Sequence, residues 1–177
     1  VKNQVYQADD SQSKLNTGVK FRGIQAHLWS EMIRSDKQAE YMLFPRLLAF
    51  AERAWHKPDW ELAYDYQGAH FDKNSQSFSD AAKKAREIDW QRFASVVGNK
   101  ELAKLEKANV FYRIPSVASK IEEGKVHTKI LYPNLPIEFQ NKEGDWQVLS
   151  SEEKSENIKA IRAVSVLGLR KGRSLNL

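Results

Sequence analysis

Residues 19–31 read Val19-Lys20-Phe21-Arg22-Gly23-Ile24-Gln25-Ala26-His27-Leu28-Trp29-Ser30-Glu31. Ile24, Ala26 and Leu28 alternate with Gln25, His27 and Trp29, a two-residue period that predicts a β-strand over Ile24–Trp29. On such a strand Gln25, His27, Trp29 and Glu31 project to one side. Just beyond it, Ser35 stands three residues before Gln38, the spacing of a helix capping box. From Phe44 onward, Leu47, Leu48, Ala51, Ala54 and Trp55 place an apolar stripe on one helix face. Pro45 should kink or restart that helix, because it lacks an N–H and crowds the preceding turn. Lys57-Pro58 closes it. Strand, loop and helix in this order make one βα unit.

Past this unit, residues 59–78 read as an irregular connection. A helix from Ser79 or Asp80 carries the stripe Trp90, Phe93 and Val97 and is expected to stop at Gly98. Asn99 is placed to cap a second helix through Leu102, Leu105 and Ala108. Beyond residue 110 the pattern turns β-rich. Expected strands are Val117–Glu122, Lys125–Leu131, Pro136–Gln140, Trp146–Leu149, Ile158–Val166 and a last one near Ser174–Leu177. Between them lie the turn signals Glu123-Gly124, Pro133-Asn134, Lys142-Glu143-Gly144-Asp145 and Leu167-Gly168. The fold class is therefore α+β, ending in a small antiparallel sandwich.

Composition narrows the function classes. Of 177 residues, 41% are hydrophobic and 29% charged, a balance that argues against general disorder. The net charge is +5, but 28 basic residues are interspersed with 23 acidic ones. Only Arg170-Lys171-Gly172-Arg173 is purely basic, so no nucleic-acid partner is expected. Cysteine is absent, which removes disulfides and thiolate chemistry. No apolar run reaches the roughly 18–20 residues of a transmembrane helix. The start, Val1-Lys2-Asn3-Gln4, shows neither an initiator methionine nor a signal-peptide core, so a fragment or a processed chain is expected.

Among residues that carry chemistry, Trp29 and Glu31 stand out. An indole followed two residues later by a carboxylate, at the end of a strand, suits sugar recognition. The flat ring covers the apolar C–H face of a pyranose, and the carboxylate accepts hydrogen bonds from hydroxyls. The spacing alone is weak, because a tryptophan near a strand end more often packs in a core. His27, His56, His70 and His127 lack ligand spacing, so no metal is expected, and His27 is expected to be structural or to support the pocket residues from behind rather than to line the pocket. Trp55, Trp60, Trp90 and Trp146 are expected to pack in cores or interfaces. No Ser-His-Asp spacing and no phosphate-cradling glycine loop is present, and no cofactor is called for.

Gly23–Glu31, followed by Glu40-Tyr41-Met42-Leu43-Phe44-Pro45-Arg46-Leu47-Leu48-Ala49-Phe50-Ala51-Glu52-Arg53-Ala54-Trp55, resembles the last barrel strand and helix of family 20 glycoside hydrolases, the β-hexosaminidases and chitobiases. Asp89-Trp90-Gln91-Arg92-Phe93, Tyr112-Arg113-Ile114-Pro115, Leu135-Pro136-Ile137-Glu138-Phe139 and Gly144-Asp145-Trp146 extend the likeness in order. The resemblance implies a (β/α)8-barrel remnant over 1–78, connector helices over 79–109 and an immunoglobulin-like β-domain over 110–177. It implies substrate-assisted retaining hydrolysis of terminal N-acetylglucosamine from chitin oligosaccharides, an exception to the usual two-carboxylate scheme. By position it makes Trp29 the floor of the sugar pocket and Glu31 the ligand of the distal hydroxyls, both at the strand end where barrel sites lie. It also implies a periplasmic or outer-membrane-associated location.

The departures matter as much. The family's adjacent Asp-Glu pair does not occur anywhere in the sequence, where Asp9-Asp10, Glu122-Glu123 and Glu152-Glu153 are the only adjacent acidic pairs. No catalytic residue is therefore assigned, and the chain alone is expected to be inactive. A barrel strand without parallel neighbours exposes its edges. Residues 1–56 are thus expected to lean on an N-terminal catalytic part of the same protein, to refold, or to dimerise. The competing reading is a non-catalytic carbohydrate-binding β-module using Tyr132, Phe139 and Trp146.

Overall fold

The computed structural model describes residues 22–61, 79–150 and 154–177. The chain divides into two compact units, whose described parts are residues 22–26, 53–61 and 79–91 in one and 27–52, 92–150 and 154–177 in the other.

Helix α1 (Asp36–Leu43) begins as the spacing predicts. The Ser35 hydroxyl accepts the Gln38 N–H at 3.2 Å, and the Gln38 side-chain oxygen accepts the Arg34 N–H at 2.8 Å. Pro45 separates α1 from α2 (Arg46–Trp55), as its missing donor requires. Helix α3 (Asp80–Val96) opens on Ser79, whose hydroxyl accepts the Ala82 N–H at 3.2 Å.

Gly98 does not stop the chain there. The helix widens into a π-turn (Val97–Glu101), in which the Leu102 N–H reaches back to the Val97 carbonyl, and continues as α4 (Leu102–Lys107). The missing side chain serves packing instead. A Cβ on Gly98 would meet the Pro133 carbonyl oxygen at 2.1 Å. Asn99 caps no new helix, since its side-chain amide donates back to the Ser95 carbonyl at 2.9 Å.

The β-rich part follows the expected order. Hairpin β1 (Ala118–Glu122) and β2 (Lys125–Lys129) turns at Glu123 and Gly124, both with positive φ. That is the backbone a tight hairpin with right-handed twist demands. A second, four-stranded antiparallel sheet holds β3 (Ile137–Gln140), β4 (Trp146–Val148), β5 (Ala160–Ala163) and β6 (Leu175–Asn176) in the order β4-β3-β5-β6. Its inner face presents Phe139, Ile161 and Ala163 to a core with Val117 and Ile158. A second core joins Ala94, Val97, Leu102, Tyr112, Tyr132 and Leu135, with Phe44 and Leu48 packed against it. Mixed helices and antiparallel sheets make the fold α+β.

One expected element is missing. Residues 22–30 form no strand. The reason is physical: a parallel strand is held by ladder bonds to neighbours, and the described residues offer it none.

Candidate functional site

The stretch before α1 holds the two predicted sugar-binding residues. Trp29 is 77% exposed. Its indole stacks on the His27 imidazole, with ring centroids 5.9 Å apart and planes tilted by 23°. The same-side relationship of alternate residues thus persists between these two rings although no sheet forms. Glu31 is exposed in a turn closed by the Ile33 N–H donating to the Ser30 carbonyl at 3.0 Å.

The helix after that turn is firmly docked. The Glu40 carboxylate accepts the Phe111 N–H at 2.7 Å, and the Arg113 N–H donates to the Phe44 carbonyl at 3.0 Å. The Arg113 guanidinium sits 5.4 Å from the Tyr41 ring centre, and Tyr41 meets Phe111 at 6.2 Å. These contacts fasten α1 to residues 111–113, and the Ser35 cap fastens the turn to α1. The chain therefore holds Glu31 at the lip of an anchored helix while Trp29 stands out into solvent.

Such an arrangement offers a flat apolar platform with an acceptor carboxylate beside it in sequence. It is open rather than enclosed. Two depressions of about 300 and 290 Å³ are lined elsewhere, one by Lys125–Thr128 with Ile137, Leu149 and Ser150, the other by Lys37, Glu106, Asn109–Phe111, Leu169 and Arg170. Among the described residues no cluster of three or more His, Asp or Glu is placed to hold a metal. No helix there is long and apolar enough to cross a membrane.

The aromatics of the β-rich part fare differently. Tyr132 and Phe139 are each 4% exposed and belong to the two cores. Trp146 is half-buried, with the Arg162 guanidinium 3.7 Å above its ring centre. Trp60 donates to Asp89, whereas Trp55 is 91% exposed and packs in no core.

Two polar clusters escaped sequence reading. Glu106 is buried and accepts the Ser165 hydroxyl on one oxygen, and the Leu167 N–H at 3.0 Å and the Tyr112 hydroxyl at 3.3 Å on the other. Asp89 receives the Trp60 indole N–H at 3.1 Å and pairs with His56 at 3.0 Å. Burial alone would raise the Asp89 carboxyl. The hydrogen bonds from Trp60 and His56, and the charges of His56 and Arg53, outweigh it and lower it. Both clusters fasten structure rather than present groups to a ligand.

Comparison with known proteins bears on these residues. The profile of the glycosyl hydrolase family 20 catalytic domain matches residues 1–58, and that of the chitobiase/β-hexosaminidase C-terminal domain matches residues 101–174. The β-hexosaminidase B of Pseudoalteromonas piscicida is 57% identical over 97 residues, 55% of this chain and 12% of that protein. The N,N'-diacetylchitobiase of Vibrio harveyi is 42% identical over 126 residues, 71% of this chain and 14% of that protein. A β-hexosaminidase of Vibrio vulnificus is 33% identical over 164 residues, 89% of this chain and 19% of that protein. The chain thus spans at most about a fifth of the length of these curated relatives.

Proposed function

Since the chain belongs to glycosyl hydrolase family 20 and carries the C-terminal domain of the chitobiases and β-hexosaminidases, we propose that it forms part of a β-N-acetylhexosaminidase acting on chitin oligosaccharides. Residues 1–78 complete a (β/α)8 barrel, residues 79–109 connect, and residues 110–177 form an immunoglobulin-like domain. In this reading Ile24–Trp29 becomes a strand once parallel neighbours supply ladder partners. Trp29 then floors the pocket of the terminal N-acetylglucosamine, and Glu31 accepts hydrogen bonds from its 4- and 6-hydroxyls. The chemistry is retaining and substrate-assisted. A Glu protonates the leaving oxygen, and an adjacent Asp orients the acetamido group that attacks the anomeric carbon. These 177 residues contain no Asp-Glu pair, so that pair must come from another segment. The reading also carries a periplasmic or outer-membrane-associated location. Until the barrel is completed, the exposed remnant can pair with a second copy.

The observation that supports this most is the exposed Trp29 indole, with Glu31 two residues on, inside the segment that the catalytic-domain profile matches. A carbohydrate-binding β-module is the weaker reading, because Tyr132 and Phe139 are core residues and Trp146 is covered by Arg162. The test is hydrolysis of a chromogenic N-acetylglucosaminide by the chain alone and mixed with a family 20 catalytic segment bearing an Asp-Glu pair. Turnover should appear only on mixing, and Trp29→Ala should then raise KM. Turnover by the chain alone, or an unchanged KM in the variant, would contradict the reading.

A further inference from the structure

An exposed indole has three staggered χ1 wells, and nothing in an irregular stretch selects among them. For Trp29 to serve as a platform, something must fix its tilt before the ligand arrives. The His27 ring is placed to do so. It lies two residues earlier, 5.9 Å between centroids and only 23° from parallel, within the range of attractive aromatic pairs. A near-parallel ring covers one face of its partner and leaves the other outward. Trp29 nevertheless keeps 77% of its surface exposed, so the stack orients the indole without burying it.

From this geometry we propose that His27 is a positioning residue for Trp29. It holds the indole by stacking on one face, so that the apolar C–H face of an N-acetylhexosamine meets the opposite one. This rests on the reading of Trp29 as a sugar platform and adds the residue that presets it. The imidazole need touch no reacting atom. Its contribution is that the ring does not have to be ordered on binding, a cost that otherwise falls on affinity.

The experiment uses the full 177-residue chain, with the Trp29 indole N–H resonance identified by its loss in Trp29→Phe and N-acetylglucosamine as the probe. In the native chain the stacked imidazole should displace that resonance from the position of an unstacked indole, and added sugar should shift it further. His27→Ala should return it toward the unstacked position and weaken the sugar response about two- to tenfold, the size expected for one aromatic pair. His27→Phe should restore both. The indole signals of Trp60, Trp90 and Trp146 report whether each variant folds. A native response to sugar that survives His27→Ala undiminished would overturn the proposal while leaving the platform intact. A native resonance that shows the stack but ignores the sugar, both in the chain alone and after mixing with a family 20 catalytic segment bearing an Asp-Glu pair, would remove the platform itself, and the proposal with it.

Discussion

Gly98 lies so close to Pro133 that a Cβ added to it would sit 2.1 Å from the proline carbonyl oxygen and 3.0 Å from its ring Cδ. Both residues are fixed, one inside the buried π-turn and one beside the core residues Tyr132 and Leu135. Alanine normally gains about 1 kcal/mol over glycine inside a helix. Here the obstacle is a backbone carbonyl that cannot rotate away, so overpacking wins. Gly98→Ala is expected to lose about 1–3 kcal/mol in urea unfolding. Gly23→Ala, where nothing lies within 4 Å, should stay within about 0.5 kcal/mol of the native chain.

That pair also shows what the sequence can and cannot reveal. Ser35 with Gln38, or Glu123 with Gly124, announces its role because cap and hairpin bonds close within four residues. Alternation likewise places every strand of the β-rich part to within three residues at either end. A glycine at a helix end reads as a stop for the same local reason. The true constraint on Gly98 is Pro133, far along the chain and invisible to any window of sequence. Glu106 is similar, because between Leu105 and Lys107 it looks like a solvated helix face. Its partners Ser165 and Leu167 are distant in sequence. Ile24–Trp29 has the alternation of a strand, yet a strand is a property of its neighbours as well as of its own residues. Spacing marks Trp29 and Glu31 only weakly and the family resemblance supplies their sugar-site roles, whereas the stack of the His27 ring on the indole needed coordinates.

The Glu106 cluster predicts an unequal pair of mutants. Glu106→Ala strands a buried serine hydroxyl, a backbone N–H and a tyrosine hydroxyl at once. Two of these donors, the Ser165 and Tyr112 hydroxyls, are buried, and each costs about 1–3 kcal/mol when unsatisfied, so a loss of at least about 2 kcal/mol is expected. Tyr112→Phe removes only the longest of those contacts and should cost about 1 kcal/mol. Parallel urea titrations of the two variants check the ordering. Equal losses would mean that the carboxylate is not the hub.

Acid should weaken the sheet through Glu138. This residue faces Arg162 across the β3–β5 pairing, and Arg162 donates twice to one of its oxygens, at 2.8 and 2.9 Å. Lys171 holds the other at 2.8 Å. Burial would raise the Glu138 carboxyl, but the hydrogen bonds of Lys171 and Arg162, and then their charges, bring it below its ordinary 4.5. A folded value lower than the unfolded one gives stability that is complete above the unfolded value and is lost as pH falls through the folded one. Unfolding free energy should therefore drop as pH falls from about 4.5 downward. Glu138→Gln should flatten that drop, leaving the portion owed to Asp89, which is lowered in the same sense. Urea titrations at about pH 3 and about pH 7 on both proteins provide the comparison.

Trp29 and Trp146 should behave oppositely toward sugar, and the difference separates a platform in the stretch before α1 from one on the four-stranded sheet. Trp29 is 77% exposed and bears only a small imidazole on its ring. Trp146 is half-buried, and Arg162 lies over it at 3.7 Å while also holding Glu138. A cation at that distance is an attractive partner for an indole, so a pyranose would have to displace the guanidinium and disturb its ion pair. Trp29→Ala is expected to abolish retention on N-acetylglucosamine oligomers immobilised on a resin. Trp146→Ala should lower stability by loosening Arg162 yet leave retention intact in the protein that remains folded. Retention lost in Trp146→Ala and kept in Trp29→Ala would reverse the assignment and move sugar binding to the C-terminal sheet.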